Sequence, residues 1–377
     1  MKFSRSWRTS VLVFAVVGAA ACIPQPKEKY AFTGVDSPDP IVNDIQINRA
    51  INERIAADPS LSSQGIVAVT SSGIVTLNGS ADNLPSKDKA RRIAGAIRGV
   101  RAVVDDVTVK PASRPDEKIV GDVKSALVSD PATKNAAVEV ASARGLVTLT
   151  GTVGSWQEKQ LLTGVAMMVP GVKQVDNAVV VARDLNAKKT DAEIASAVKQ
   201  RLGFDMWLDG SLVDVNVKNG VVTLSGVVAT PELRNRAIAD SWVTGVSAVT
   251  EDGLVINWWA QTRNRRANEL QERTDPEIAQ AVRDSFLYDA RLKVHAPDVA
   301  VRDGQVMLEG QLDNMPARLA AAEDAGNTVG VRDVVDQVVV VPGVDVSDAD
   351  VVRSARAAVD RERPGMPNEV SFSSDGG

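Results

Sequence analysis

Apolar and polar positions alternate in a short phrase that this chain writes four times: GIVTLNG (Gly73 to Gly79), GLVTLTG (Gly145 to Gly151), GVVTLSG (Gly220 to Gly226) and GQVMLEG (Gly304 to Gly310). Period-two alternation between two glycines predicts a short strand entered and left by turns. Gly73, Gly145, Gly220 and Gly304 stand where a hairpin turn needs positive φ. Upstream of each phrase the apolar spacing changes to four: Ile47, Ile51, Ile55; Ile119, Val123, Leu127; Ile194, Val198, Leu202; Ile278, Val282, Phe286. That spacing lays one apolar stripe along a helix. Thr190 with Glu193, Thr274 with Glu277 and, more weakly, Ser347 with Asp350 have the spacing of capping boxes. Between helix and phrase lies another alternating segment, at Ile66 to Val69, Val138 to Val140, Val213 to Val217 and Val299 to Val301, which pairs with the phrase as a hairpin.

A second helix follows each hairpin, over about Pro85 to Arg98, Ser155 to Met168, Pro231 to Val243 and Pro316 to Thr328. Each runs into a glycine, Gly99, Gly171, Gly245 or Gly330, and then into GVRAVVDDVTV, GVKQVDNAVVV, GVSAVTEDGLVI or GVRDVVDQVVVV, read as a third strand. The unit is therefore α-β-β-α-β. A right-handed crossover makes the second and third strands parallel, giving a three-stranded mixed sheet with both helices on one face. The fold class is α+β, a tandem array of small units: 43–110, 114–183, 190–257 and 274–341, with 258–273 as a linker.

These residues resemble a known family. The G-V-V-T-L-S-G strand, the helix after it and the G-V-x-x-V-x-[DN]-x-[LV]-x-V third strand are similar to the BON domain, and the resemblance covers most of Asn43 to Val341. Asp105, Asn177 and Asp336 take the polar position of the last motif, whereas the third copy, Glu251-Asp252-Gly253, holds one extra residue and suggests a bulge. The resemblance implies an envelope module that binds phospholipid or membrane-associated partners. It implies no enzymatic activity, and no catalytic residue is carried over.

The ends of the chain read differently. Lys2, Arg5 and Arg8, the apolar run Val11 to Val17 and small residues to Ala21 predict a signal peptide over 1–21 and export, with Cys22 in a context resembling the lipobox of bacterial lipoproteins. Lipidation of Cys22 is the preferred reading; conventional cleavage nearby is the other. Ile23 rather than Asp after the cysteine favours a periplasmic protein anchored to the outer membrane. Residues 22–42, with four prolines between Pro24 and Pro40, form a tether. At the other end, Val351, Ala355 and Val359 repeat the helix stripe and Val370 to Phe372 a first strand, so 342–377 reads as a partial fifth unit.

Removing the leader takes the formal net charge from −5 to −8. Nucleic acid is therefore a poor partner for the chain as a whole. His295 is the only histidine and Cys22 the only cysteine, which leaves little for a triad or a Cys/His metal site. No nucleotide-binding glycine motif follows a strand, and no cofactor is expected. Two local features stand out. Lys87, Lys89, Arg91, Arg92, Arg98 and Arg101 make the second helix of the first unit basic, either a headgroup-binding face or an ordinary solvated one. Trp258 and Trp259 with Arg263, Arg265, Arg266 and Arg273 suit a membrane interface, or the packing of two units, which is preferred. Trp156 and Trp242 are expected in the core or between units. The functional expectation is a non-enzymatic, lipid-anchored envelope protein that contacts phospholipid or envelope proteins. The alternative is a homo-oligomer assembling into stacks or rings.

Overall fold

The computed structural model describes residues 43–182, 189–260, 273–292 and 295–341, together with Val352. The expected leader, Cys22, the tether, linker residues 261–272 with Arg263, Arg265 and Arg266, and the partial fifth unit other than Val352 lie outside the described residues.

The first unit runs α1 (Asp44–Ala57), β1 (Val67–Ser71), β2 (Ile74–Asn78), β3 (Ser80–Ala81), α2 (Leu84–Gly95), β4 (Ala102–Asp105) and β5 (Thr108–Val109). The second runs α3 (Asp116–Ser129), β6 (Ala137–Ala143), β7 (Leu146–Val153), α4 (Trp156–Met167), β8 (Gln174–Asn177) and β9 (Val180–Val181). The third is α5 (Asp191–Phe204), β10 (Val213–Lys218), β11 (Val221–Val228), α6 (Pro231–Asp240) and β12 (Ala248–Ile256). The fourth is α7 (Asp275–Leu287), β13 (Asp298–Arg302), β14 (Gln305–Glu309), β15 (Gln311–Leu312), α8 (Met315–Gly326), β16 (Asp333–Asp336) and β17 (Val339–Val340).

In every unit the glycine-bracketed strand is central, antiparallel to the strand before it and parallel to the strand after the second helix. The alternation decides which side faces the helices. In β2, Val75 and Leu77 are fully buried with Ile47, Ile51 and Ile55 of α1 and Ala90 and Ala94 of α2, so both helices cover one face. Equivalent cores form in the other three units. Small alanines on the second helices let them approach the sheet closely.

The hairpin turns carry two consecutive positive φ values, 52° and 74° at Ser72 and Gly73, and 53° and 75° at Asn219 and Gly220. Each turn is held by an aspartate at the start of the first helix. The N–H groups of Ser72 and Gly73 donate to Asp44 at 2.7 and 2.8 Å, and those of Asn219 and Gly220 to Asp191 at 2.8 and 2.9 Å. Asp116 and Asp275 do the same in the second and fourth units. In Asp116, hydrogen bonds from Ser142, Gly145 and Arg144 hold the carboxyl below its ordinary range.

Two expectations need correcting. The second helices end early, at Gly95, Met167, Asp240 and Gly326, because the chain tightens into three-residue turns, as where Ile97 N–H donates to Ala94 O and Val100 N–H to Ile97 O. The third strand is also not continuous in units one, two and four. The motif's polar residue breaks it: Asp105, Asn177 and Asp336 each accept from the N–H two residues on, at 3.2, 3.2 and 3.0 Å. In the third unit, where Glu251 takes that position, β12 runs through, with a register shift between Thr223 and Ser225 that sets Glu251 and Asp252 opposite Leu224. The expected bulge is present.

Candidate binding surfaces

The units pack on one another through their second helices and strand ends, and the third unit touches each of the others. Leu84 at the start of α2 packs into the second unit's core. Trp156 on α4 stacks on Trp242, with ring centroids 5.9 Å apart and planes 8° apart, and Gln157 Nε2 donates to Trp242 O at 3.2 Å. Between the third and fourth units Val329 N–H donates to Phe204 O at 2.8 Å and Met206 N–H to Asn327 O at 3.0 Å. Trp207 Nε1 donates to Asn327 Oδ1 at 2.9 Å, while the Arg201 guanidinium lies 4.8 Å from the Tyr288 ring and that of Arg273 4.6 Å from Phe204.

Contacts mostly within the first unit determine where the cations read from the sequence go. Lys87 Nζ donates to Val107 O at 2.7 Å and lies 3.5 Å from Asp105; Lys89 pairs with Asp58 at 2.6 Å. Arg91 and Arg92 share Asp88, at 2.9 and 3.0 Å. Arg98 lies with its guanidinium 4.6 Å from the ring of Trp258, the residue that follows the third unit. Arg101 is exposed, with its stem over Gly73. Lys87, Lys89, Arg91, Arg92 and Arg98 thus each have a partner, and Arg101 is exposed. Trp259 packs against a small cluster of Leu212, Val227, Ala229 and Ala260. His295 is exposed.

Two surfaces stand out among the described residues as covered by no other described element. One is the outer face of the first unit's sheet. Register places Val69, Thr76 and Val104 in one row across β1, β2 and β4, and Ser71, Ile74 and Ala102 in the next, with Val67 alongside. Val67, Val69, Ile74 and Val104 are 54%, 55%, 43% and 43% exposed. The same face elsewhere interposes charge, with Glu139 and Asp176 in the second unit and Arg302 and Asp333 in the fourth.

The other is a crevice of about 190 Å³ between the first and third units. Arg91, Gly95 and Arg101 line one side, and Glu232, Arg234 and Asn235 of α6 the other. Its floor reaches Ala102 and Val103 on the edge strand β4, so it opens beside the apolar face. Sequence periodicity gives no sign of it, because its two walls lie more than a hundred residues apart.

A titratable cluster lies at the seam of units three and four. Burial, and then the charge of Asp240, push the Asp205 carboxyl up to about 7 against the pull of Arg236, with which it pairs. Burial and Asp289 raise Asp324 to about 7, opposed by Arg201 and Arg291. Arg201 Nη2 bonds Asp240 at 2.9 Å. Among the described residues no group of histidine, cysteine and acidic side chains is placed to hold a metal ion, and no helix is long and apolar enough to cross a membrane.

Comparison with known proteins fits this architecture. The BON domain model matches residues 43–111, 115–183, 190–257 and 274–342. Osmotically-inducible protein Y of Escherichia coli is 26% identical over 191 residues, which cover 47% of this chain and 95% of that protein. The outer membrane lipoprotein DolP of Haemophilus influenzae is 28% identical over 169 residues, covering 43% of this chain and 84% of that one. A solved structure of CdsD, a structural protein of the type III secretion system of Chlamydia trachomatis, aligns over 60% of this chain and 98% of its own at 16% identity, but its TM-score of 0.16 supports no argument. With four matches that cover each of the α-β-β-α-β units, the chain belongs to the BON domain family.

Proposed function

We propose that this chain is an exported, non-enzymatic binding protein of the bacterial envelope, held by a lipid on Cys22, whose BON units contact membrane phospholipid. The observation that carries this reading is the apolar outer face of the first unit's sheet. A row of exposed β-branched side chains on an otherwise acidic molecule is a surface built to be covered. It sits on the unit nearest Cys22, where a tethered chain meets the bilayer first. The kinship with an outer membrane lipoprotein and an osmotically inducible protein supports an envelope location and a part in envelope stress. Cofactors have no place in this reading.

The test is sedimentation of Cys22→Ala protein with vesicles of mixed phospholipid. The parent surface should carry the protein down, and Val69→Glu should leave it in the supernatant. Equal sedimentation of both proteins would count against this face. The same face could instead take a second copy in a stacked envelope assembly; a concentration-dependent rise in mass by light scattering without vesicles, abolished by Val69→Glu, would favour that reading.

A further inference from the structure

Glu232 and Arg234 line the crevice between the first and third units with no hydrogen bond or ion pair to another described residue, and one atom of each, Glu232 Oε2 and Arg234 Nε, is buried without a partner behind the accessible end of its side chain. Charged groups held at the seam of two packed units are ordinarily paired, so two without a partner call for an explanation. They do not pair with each other, being two residues apart on α6, where side chains diverge around the helix. Facing them across the gap are Arg101, on the segment leading into β4, and Arg91, which Asp88 holds through Nε at 3.3 Å and Nη2 at 2.9 Å. The first turn of α6 also lines the space, adding the positive end of a helix dipole.

These groups select a ligand. A simple anion would meet the arginines but lie beside an unpaired carboxylate, and a simple cation would meet Glu232 but face three guanidinium groups. A zwitterion satisfies both. We propose that this crevice binds a small zwitterion carrying a phosphate and a primary ammonium group, the chemistry of a phosphoethanolamine headgroup. The phosphate lies among Arg101, Arg234 and Arg91, and the ammonium donates to Glu232. At about 190 Å³ the crevice far exceeds the roughly 10–15 Å³ that a single water requires. Its opening beside Ala102, on the apolar sheet face, would let the headgroup enter while the acyl chains of a lipid lie along Val69 and Val104. The proposal deepens the membrane-contact reading and rests on it for the source of the ligand, whereas the site is testable with a soluble compound.

The experiment is calorimetric titration of the full chain with phosphoethanolamine, inorganic phosphate and ethanolamine, repeated on Arg101→Gln, Arg234→Gln and Glu232→Gln. Phosphoethanolamine should bind at least tenfold more tightly than either half. Arg101→Gln and Arg234→Gln should each weaken it roughly tenfold or more, the loss expected of a charge-assisted hydrogen bond. Glu232→Gln should lower its affinity to that of phosphate while leaving phosphate itself no weaker. Arg101 is exposed, so its variant keeps the test valid if a change on α6 disturbs the packing. Equal affinity for phosphate and phosphoethanolamine, indifference to Glu232→Gln, or no binding at millimolar concentration would overturn the proposal. Displacement of Cys22→Ala protein from phosphatidylethanolamine vesicles by soluble phosphoethanolamine identifies a lipid source; soluble binding without displacement identifies a free one, and the site stands either way. Loss of vesicle binding with titration intact sinks the membrane reading alone, and the reverse sinks the crevice.

Discussion

Gly226 and Gly310 occupy the same place in the third and fourth units, with nearly identical φ of 119° and 117°, yet their surroundings differ. A Cβ on Gly226 would overlap the Leu212 carbonyl oxygen and lie 3.1 Å from its carbon, where β10 meets β11. At Gly310 the nearest atom is 3.9 Å away, an ordinary contact. Replacing either glycine by alanine forces an L-residue into a region that costs about 1–3 kcal/mol. Only Gly226→Ala must also move backbone in a packed strand pair, a further cost of about 1–3 kcal/mol, the scale of overpacking. Gly226→Ala should therefore destabilise its unit by that much more than Gly310→Ala destabilises its own. Amide exchange read by mass spectrometry resolves the units: the variant unit should lose protection, and most at β10 and β11 for Gly226→Ala. Equal losses at the two glycines would refute the steric argument and leave φ strain as the whole effect, and an equal loss in all four units would refute separate cores.

Three further predictions follow from the same contacts. Asp191→Ala, which removes two hydrogen bonds to the Asn219–Gly220 turn, should cost about 1–3 kcal/mol in urea unfolding; an unchanged midpoint would show that the turn holds itself. Trp156→Ala, which deletes the stack on Trp242, should separate the melting of the second unit from that of the third, and a single unaltered transition would mean the stack couples nothing. Asp205 and Asp324 have native pKa values near 7, raised from about 4 in the unfolded chain. Between these values the native state binds more protons, so stability should fall as pH rises from 5 to 8. Below about pH 4 the depressed Asp58, Asp116, Glu193 and Glu277 reverse the trend as they protonate. A melting temperature that climbs from pH 5 to 8, or a slope unaffected by Asp324→Asn, would contradict this.

Much of the fold is legible in sequence because it is local and periodic. Val75 and Leu77, two apart, and Ile47, Ile51 and Ile55, four apart, say which face of each element is buried without reference to anything distant. The aspartate lock was also written in the sequence, since Asp44, Asp116, Asp191 and Asp275 each stand 29 positions before the turn glycine they bind. A search for neighbouring pairs passes over such a spacing. The polar position of the third-strand motif could be located but not interpreted, because the break it makes depends on a side chain competing with the ladder for one N–H. The candidate sites were less legible still. Counting cations along the second helix suggests a basic face, but Asp58 and Asp105, which claim Lys89 and Lys87, come from other elements of the unit. Arg98 meets Trp258 across 160 positions, and no period carries that contact.

The claim that the first unit's sheet meets the membrane can be tested with one label. Cys22 is the only cysteine, so Cys22→Ser protein carrying Val69→Cys or, on the equivalent outer face of the second unit, Thr150→Cys can each take a single polarity-sensitive fluorophore. On adding phospholipid vesicles, the label at 69 should shift to the blue and resist an aqueous quencher, while the label at 150 should change little. No shift at 69, or a larger one at 150, would contradict membrane contact through this face.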